Sequence, residues 1–156
     1  IYSPMGQKIR VRAKDLTAMR EEDWLDGRLG IVVDGTGKDY QKISESAMKL
    51  KELGYETMMV LINTDLDTAQ ERNSKRARVL PPRQVEAMWQ GVQSNIGKFQ
   101  TLFGMPNMII IDNSQENEAE AANQATNLYG KINNWAKTVP KNRIAQDWIK
   151  SQGGRL

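Results

Sequence analysis

The 156-residue chain contains no cysteine and no histidine. Without cysteine, disulfides and thiolate metal sites are excluded, and the redox compartment is left open. Without histidine, the commonest general base and metal ligand is gone. Any catalysis therefore falls to carboxylates, lysines, arginines and hydroxyls. Aromatic residues are sparse, at 6%. No apolar run approaches the ~20 residues of a membrane span, and no signal peptide is visible, so no membrane partner and a cytoplasmic location are expected. Hydrophobic residues make up 39% and charged residues 26%, near the globular average and enough for one domain with a real core. The net charge of +3 permits an anionic ligand without demanding nucleic acid. The chain opens on Ile1 rather than Met, which reads as a fragment or a processed start.

The rest is organised around Leu29-Gly-Ile-Val-Val-Asp-Gly-Thr-Gly-Lys-Asp-Tyr40. A β-branched run, Ile31-Val32-Val33, stops at an acid and two glycines, Gly35 and Gly37. A short apolar run bounded by turn residues reads as a strand buried on both faces, here residues 29–34. Ligands of an open parallel sheet sit outside the carboxyl ends of its strands, so Asp34 is delivered where chemistry happens. An ordinary turn after a strand is the plain alternative.

Along the chain, residues 1–6 read as a lead-in and 7–26 as a helix carrying Ile9, Leu16, Met19 and Trp24, with Gly27 just past its end. Asp39 is placed to cap a helix over 40–53 with Ile43, Ala47, Leu50 and Leu53 on one stripe, stopped by Gly54. Residues 57–62 form a second buried strand. Thr64 is the expected N-cap of a helix over 65–76, which ends in a basic cluster. Pro82 opens the most periodic helix, 83–103, with Val85, Met88, Trp89, Val92, Ile96, Phe99 and Phe103. A third strand spans 107–112. A helix over 115–138 buries Ala119, Ala122, Ala125, Leu128, Ile132 and Trp135. Pro140 begins a last short helix with Ile144 and Trp148 inward, and 151–156 is a flexible tail. The four tryptophans, Trp24, Trp89, Trp135 and Trp148, fall on apolar stripes and read as core. Strands alternating with helices indicate βαβ units and a parallel sheet with helices on both faces.

Gly35-Thr-Gly-Lys38 is not a Walker A loop. That pattern needs Gly where Val32 stands and Ser or Thr where Asp39 stands. Ile31-Val-Val-Asp34-Gly35 fits a Walker-B-like strand end better, where a carboxylate reaches Mg²⁺. The cluster Glu71-Arg72-Asn73-Ser74-Lys75-Arg76-Ala77-Arg78 places Arg72 and Arg76 four apart, on one face of a continuous helix. Guanidinium groups so placed grip phosphate oxygens in pairs. A solvated basic face is the competing reading.

Taken together, Arg28–Asp39, Leu53–Thr57, Asn63-Thr64 with Ala69–Arg76, and Ile111–Ser114 resemble P-loop kinases of the zeta-toxin and polynucleotide-kinase type, above all members from tailed bacteriophages. The resemblance covers about residues 8–150. It implies a three-layer α/β/α fold with a parallel sheet in a single domain over 1–150, and a lid around 72–82. It implies ATP and Mg²⁺ as cofactors and a nucleotide plus a phosphate acceptor as partners. By match, Asp34 takes the metal and a catalytic role, Arg72 and Arg76 stabilise the transferring phosphoryl group, and Thr36, Lys38 and Arg78 hold phosphates. Asn113 and Ser114 border the adenine. The family's Gly-rich loop, and the acid usually assigned as its base, would precede residue 1. Their absence here leaves open an incomplete or inactive kinase. The rival class is a non-catalytic nucleic-acid-binding or virion-associated structural protein on the same scaffold. A Gly-rich loop in the upstream coding sequence would favour the enzyme.

Overall fold

In the computed structural model, residues 3–114 and 117–156 are described. Ile1 and Tyr2 of the expected lead-in, and Gln115 and Glu116 at the expected start of the fifth helix, lie outside them. The chain divides into two compact units, Ile1–Gly35 and Thr36–Leu156.

The first unit is built on α1, Pro4–Asp26. The helix starts earlier than the periodicity predicts because Ser3 and Pro4 form a local start signal. The Gly6 N–H donates to the Ser3 hydroxyl, and Pro4 occupies the first turn, where its missing N–H costs nothing. At the far end Gly27 is right-handed, and the left-handed position falls on Arg28, with φ of 53°. Arg28 N–H donates to Leu25 O and Leu29 N–H to Trp24 O, a Schellman closure made without glycine at its left-handed position. No residue of α1 is buried, so Ile9, Leu16, Met19 and Trp24 are exposed. Residues 29–34 form no strand. Val32 is 96% exposed and Val33 69%. The β-branched run has the propensity for a strand, but a strand exists only through its ladder, and this segment has none among the described residues.

The second unit opens with α2, Tyr40–Glu52. Asp39 caps it as expected, accepting the Lys42 N–H at 3.1 Å, and Lys49 and Lys51 in the last turn complement the helix dipole. Gly54 follows with φ of 100° and is needed twice over. A Cβ there would also sit 3.1 Å from Ile144 Cγ2 and from the Ala145 nitrogen. Strand β1 is Met59–Asn63 and β2 is Met108–Asp112. They pair in parallel from Met59 with Met108 to Asn63 with Asp112. The sheet among the described residues has these two strands, one fewer than the three apolar runs suggest.

Between the strands lie α3, Leu66–Ser74, and α4, Pro82–Phe103, with a 3₁₀ turn at Met105–Asn107. Asp65 rather than Thr64 caps α3. Its carboxylate accepts the Thr68 N–H, which a hydroxyl on the preceding residue does not reach. Helix α4 starts on Pro82 and supplies the core. Phe99 is fully buried, against Tyr40 at 5.5 Å between ring centroids. Ala47 and Phe103 join it, with Ile43, Met59, Leu102 and Met108 around them. An α/β unit with a parallel sheet is therefore present, its core between α2, α4 and one sheet face.

Helix α5, Glu118–Ala136, is capped by Asn117 and buries none of its residues. Ala119, Ala122, Ala125 and Ile132 are exposed, and only Leu128 and Trp135 of the expected stripe are half-buried. Small alanines remove little area from water, so spacing alone does not dock them. Helix α6, Arg143–Ser151, begins at Asn142 rather than Pro140. Glu56 fixes its start by accepting the N–H groups of Lys141 and Asn142 at 2.7 and 2.9 Å. Ile144 and Trp148 remain exposed, as does Trp24. Trp89 and Trp135 are half-buried, with their indole N–H groups bonded to Thr64 O and Asn107 Oδ1.

Candidate functional site

Two parallel strands in register end together, so Asn63 and Asp112 are cross-strand neighbours at one sheet edge. The loops beyond are knitted to each other. Asn113 N–H donates to Asn63 O at 2.8 Å. Asp65 N–H donates to the Ser114 hydroxyl at 2.9 Å, and that hydroxyl donates to Asp112 Oδ1 at 2.6 Å. The Thr68 hydroxyl lies within reach of both Asp65 Oδ2 and Ser114 O. The hydrogen bond from the Thr68 N–H, seconded by its hydroxyl, holds the Asp65 carboxyl below the usual carboxylate range. From the other side α4 adds two contacts one turn apart. Trp89 Nε1 donates to Thr64 O and Gln93 Nε2 donates to Asn63 Oδ1. Ser114 is therefore committed to holding the two loops together. Asn113 is exposed and, with Asp112, Asn117, Glu120, Ala121 and Gln124, lines a shallow polar pocket at the start of α5.

The segment ahead of α2 approaches the same strand. Gly37 is buried with φ of 73°, and a Cβ there would stand 3.6 Å from Leu61 Cδ1 and 3.7 Å from Val92 Cγ1. Asn95, 4% exposed in mid-helix, donates through Nδ2 to Gly37 O and Lys38 O at 3.3 and 3.0 Å. Lys98 Nζ donates to its Oδ1 at 3.3 Å. Thr36 and Lys38 are exposed on either side of this anchored turn. Asp34, in the first unit, is exposed.

The basic cluster departs from its expected geometry. Helix α3 stops at Ser74, so Arg76 lies beyond it and does not share a helical face with Arg72. The chain turns away because Asn73 and Ser74 engage the backbone instead of continuing the helix. The Ser74 hydroxyl donates to Glu71 O, and the Asn73 carboxamide pairs with Leu80. Arg72 is half-buried, and Arg76 and Arg78 are exposed on the following loop. Glu71 and Lys75 pair at 2.8 Å, and that hydrogen bond and charge hold the Glu71 carboxyl below its ordinary range. Arg72 stands seven residues past the Asp65 cap, roughly 10 Å from it along the helix axis.

Thus Asn113, Ser114 and the Gly37–Lys38 turn gather around β1 and its polar end, while the arginines occupy the far end of α3. Sequence reasoning missed Thr68, Asn73, Gln93 and Asn95, and read Trp89 as core alone. The available signal was polar residues on the inward stripe of helices, where they are poor formers unless bonded.

A protein-family model described as zeta toxin matches residues 3–124, more than three quarters of the chain. No curated protein and no solved structure gives a significant match.

Proposed function

The chain belongs to the zeta toxin family, whose members are P-loop-kinase-like phosphotransferases, and from this premise we propose that it supplies the phosphate-gripping part of an ATP-dependent kinase site. The observation that supports the reading is the Asn63–Asp112 pair. It brings two polar strand ends to one edge, the edge where open α/β sheets bind ligands.

In such a transfer the acceptor oxygen bonds to the γ-phosphorus as the bond to the β,γ-bridging oxygen breaks. The acceptor hydroxyl releases its proton to water and ADP leaves. Negative charge spreads over the transferring group, so catalysis is positioning and neutralisation, which suits a chain without His or Cys. Arg72, Arg76 and Arg78 supply the neutralising guanidiniums. Thr36 and Lys38 hold phosphate oxygens, and Asn113 borders the base of the nucleotide. Among the described residues no three carboxylates come together. A cation here would need phosphate oxygens and water as its other ligands, the usual condition of Mg²⁺ at kinase sites. By the family resemblance alone Asp34 would be its carboxylate ligand, and the ion would supply further charge neutralisation when bound. The acceptor class is a nucleotide, a polynucleotide end or a sugar hydroxyl.

A second reading, nucleic-acid binding without catalysis, is favoured by the exposure of Arg76 and Arg78 beside Lys75. One experiment separates the two. The full-length natural protein is assayed with MgATP against those three acceptor classes, then as Arg72→Lys and Arg76→Lys. Loss of a phosphate-clamping contact costs on the order of 10²–10³ in rate, and Lys restores little because it lacks the planar fork. Asp34→Asn should lower turnover far more than melting temperature. Full turnover in both lysine variants, beside nucleic-acid affinity that collapses with salt, would replace the kinase reading with the binding one.

A further inference from the structure

Asn73 is 5% exposed at the last turn of α3. Its Nδ2 donates to Leu80 O at 2.9 Å, and its Oδ1 accepts the Leu80 N–H at 3.0 Å. A residue of an antiparallel ladder makes this double exchange with its backbone. Here a side chain makes it and closes the loop 74–80 at its neck. A second tie lies just outside, where Gln70 Nε2 donates to Pro82 O at 2.8 Å. The following Pro81 and Pro82 have fixed φ, so the return limb is stiff. Within the closed loop Lys75, Arg76 and Arg78 are exposed, and no acid stands between Ser74 and Pro82.

Asparagine is a poor helix former, so α3 itself gives no reason for Asn73. The neck does. Without the tie between Asn73 and Leu80 the two ends of the loop would spread. We propose that Asn73 is a positioning residue. Its carboxamide clamps the neck so that Arg76 and Arg78 are presented as a preorganised grip for the phosphates of a nucleoside triphosphate. The assignment of phosphates as the ligand rests on the kinase reading above, whereas the clamp itself does not. Preorganisation raises affinity by removing the cost of ordering the loop at binding.

The test uses the full-length natural protein with Asn73→Ala and, as a second variant, Asn73→Ser. Serine buries no charge and is too short to make the paired exchange with Leu80, so it carries the same readouts if the first does not fold. Trypsin cleavage after Lys75, Arg76 and Arg78 is timed without nucleotide against cleavage elsewhere. MgATP affinity is then measured by calorimetry for each variant, for Arg76→Ala and for the double variants. Loop cleavage should accelerate about tenfold or more in Asn73→Ala while other sites stay unchanged, and MgATP affinity should fall roughly 10-fold to 100-fold. Arg76→Ala should add little in the Asn73→Ala background, because an arginine that is no longer positioned has little left to lose. Unchanged loop cleavage in both variants overturns the clamp. Faster cleavage with MgATP bound by neither parent nor variants keeps the clamp and overturns the phosphate ligand. Fully additive losses from Asn73 and Arg76 overturn the positioning role, since a merely structural residue would behave that way.

Discussion

Asn95 is the sharpest place to perturb the site without touching an assigned contact. Its carboxamide is 4% exposed and satisfies the carbonyls of Gly37 and Lys38 while accepting from Lys98. Asn95→Leu keeps the volume and deletes the donor. Two carbonyl groups on the turn between Thr36 and the Asp39 cap then lose their partner, at a cost of about 1–3 kcal/mol. Asn95→Asp is nearly isosteric but turns the donor into an oxygen facing two carbonyl oxygens. At pH 7 a carboxylate is buried there with only Lys98 to offset it, and about 3–5 kcal/mol is expected, as for a broken buried pair. Burial and the facing carbonyls disfavour the ionised form, so the introduced carboxyl binds its proton more tightly folded than unfolded. The penalty is therefore present above the folded pKa and fades as pH falls toward the ordinary carboxylate range. Urea unfolding followed by tryptophan emission at pH 7 and pH 4.5 gives both variants' deficits against the parent at each pH. The Asp deficit should exceed the Leu deficit at pH 7 and shrink at pH 4.5, while the Leu deficit stays level. An Asp variant as stable as the Leu variant at pH 7, or a deficit indifferent to pH, would refute the role given to Asn95.

Phe99→Ala should cost about 3–5 kcal/mol, because Phe99 is fully buried against Tyr40 in the core of α2, α4 and the sheet. A midpoint shift worth under 1 kcal/mol in the same urea assay would mean that the core lies elsewhere. Asp65 is held below its ordinary range by Thr68, so its contribution is present above the ordinary carboxylate pKa and lost as pH falls through the lowered one. Asp65→Asn keeps an N-cap acceptor, so it should match the parent near pH 7 and lose less melting temperature than the parent between pH 5 and 3. Parallel acid limbs for the two proteins would remove Asp65 as a contributor.

The elements most legible in the sequence were those whose signals are local. Asp39 and Gly54 bracket α2 through a cap and a left-handed stop, and both depend on neighbours within a turn. The seven apolar positions of α4 announced the core helix. Residues 29–34 misled because β-branching reports propensity, whereas a strand also needs a partner that propensity does not supply. The Arg72–Arg76 spacing misled because helix continuation was decided by Asn73, whose partner Leu80 is reached only through tertiary geometry. Trp89, Gln93 and Asn95 form their contacts with the loops at β1 across 25 to 58 residues of sequence, a separation no local pattern encodes.

The parallel pairing of Met59 with Met108 joins positions 49 residues apart, and this governs how the molecule comes into being on the ribosome. Synthesis at about 5–20 residues per second leaves β1 waiting roughly 2–10 s for its partner to be made. Helices α3 and α4, made of local contacts, form within microseconds of emerging. The apolar stretch Met59-Val-Leu-Ile62 therefore spends seconds as an unpaired edge while α3 and α4 are still being made. In that interval it is open to chaperone capture or to pairing with the same stretch of a neighbouring nascent chain. Slower translation of residues 64–107 should lengthen that interval and lower the soluble yield, with the native fold itself unaltered.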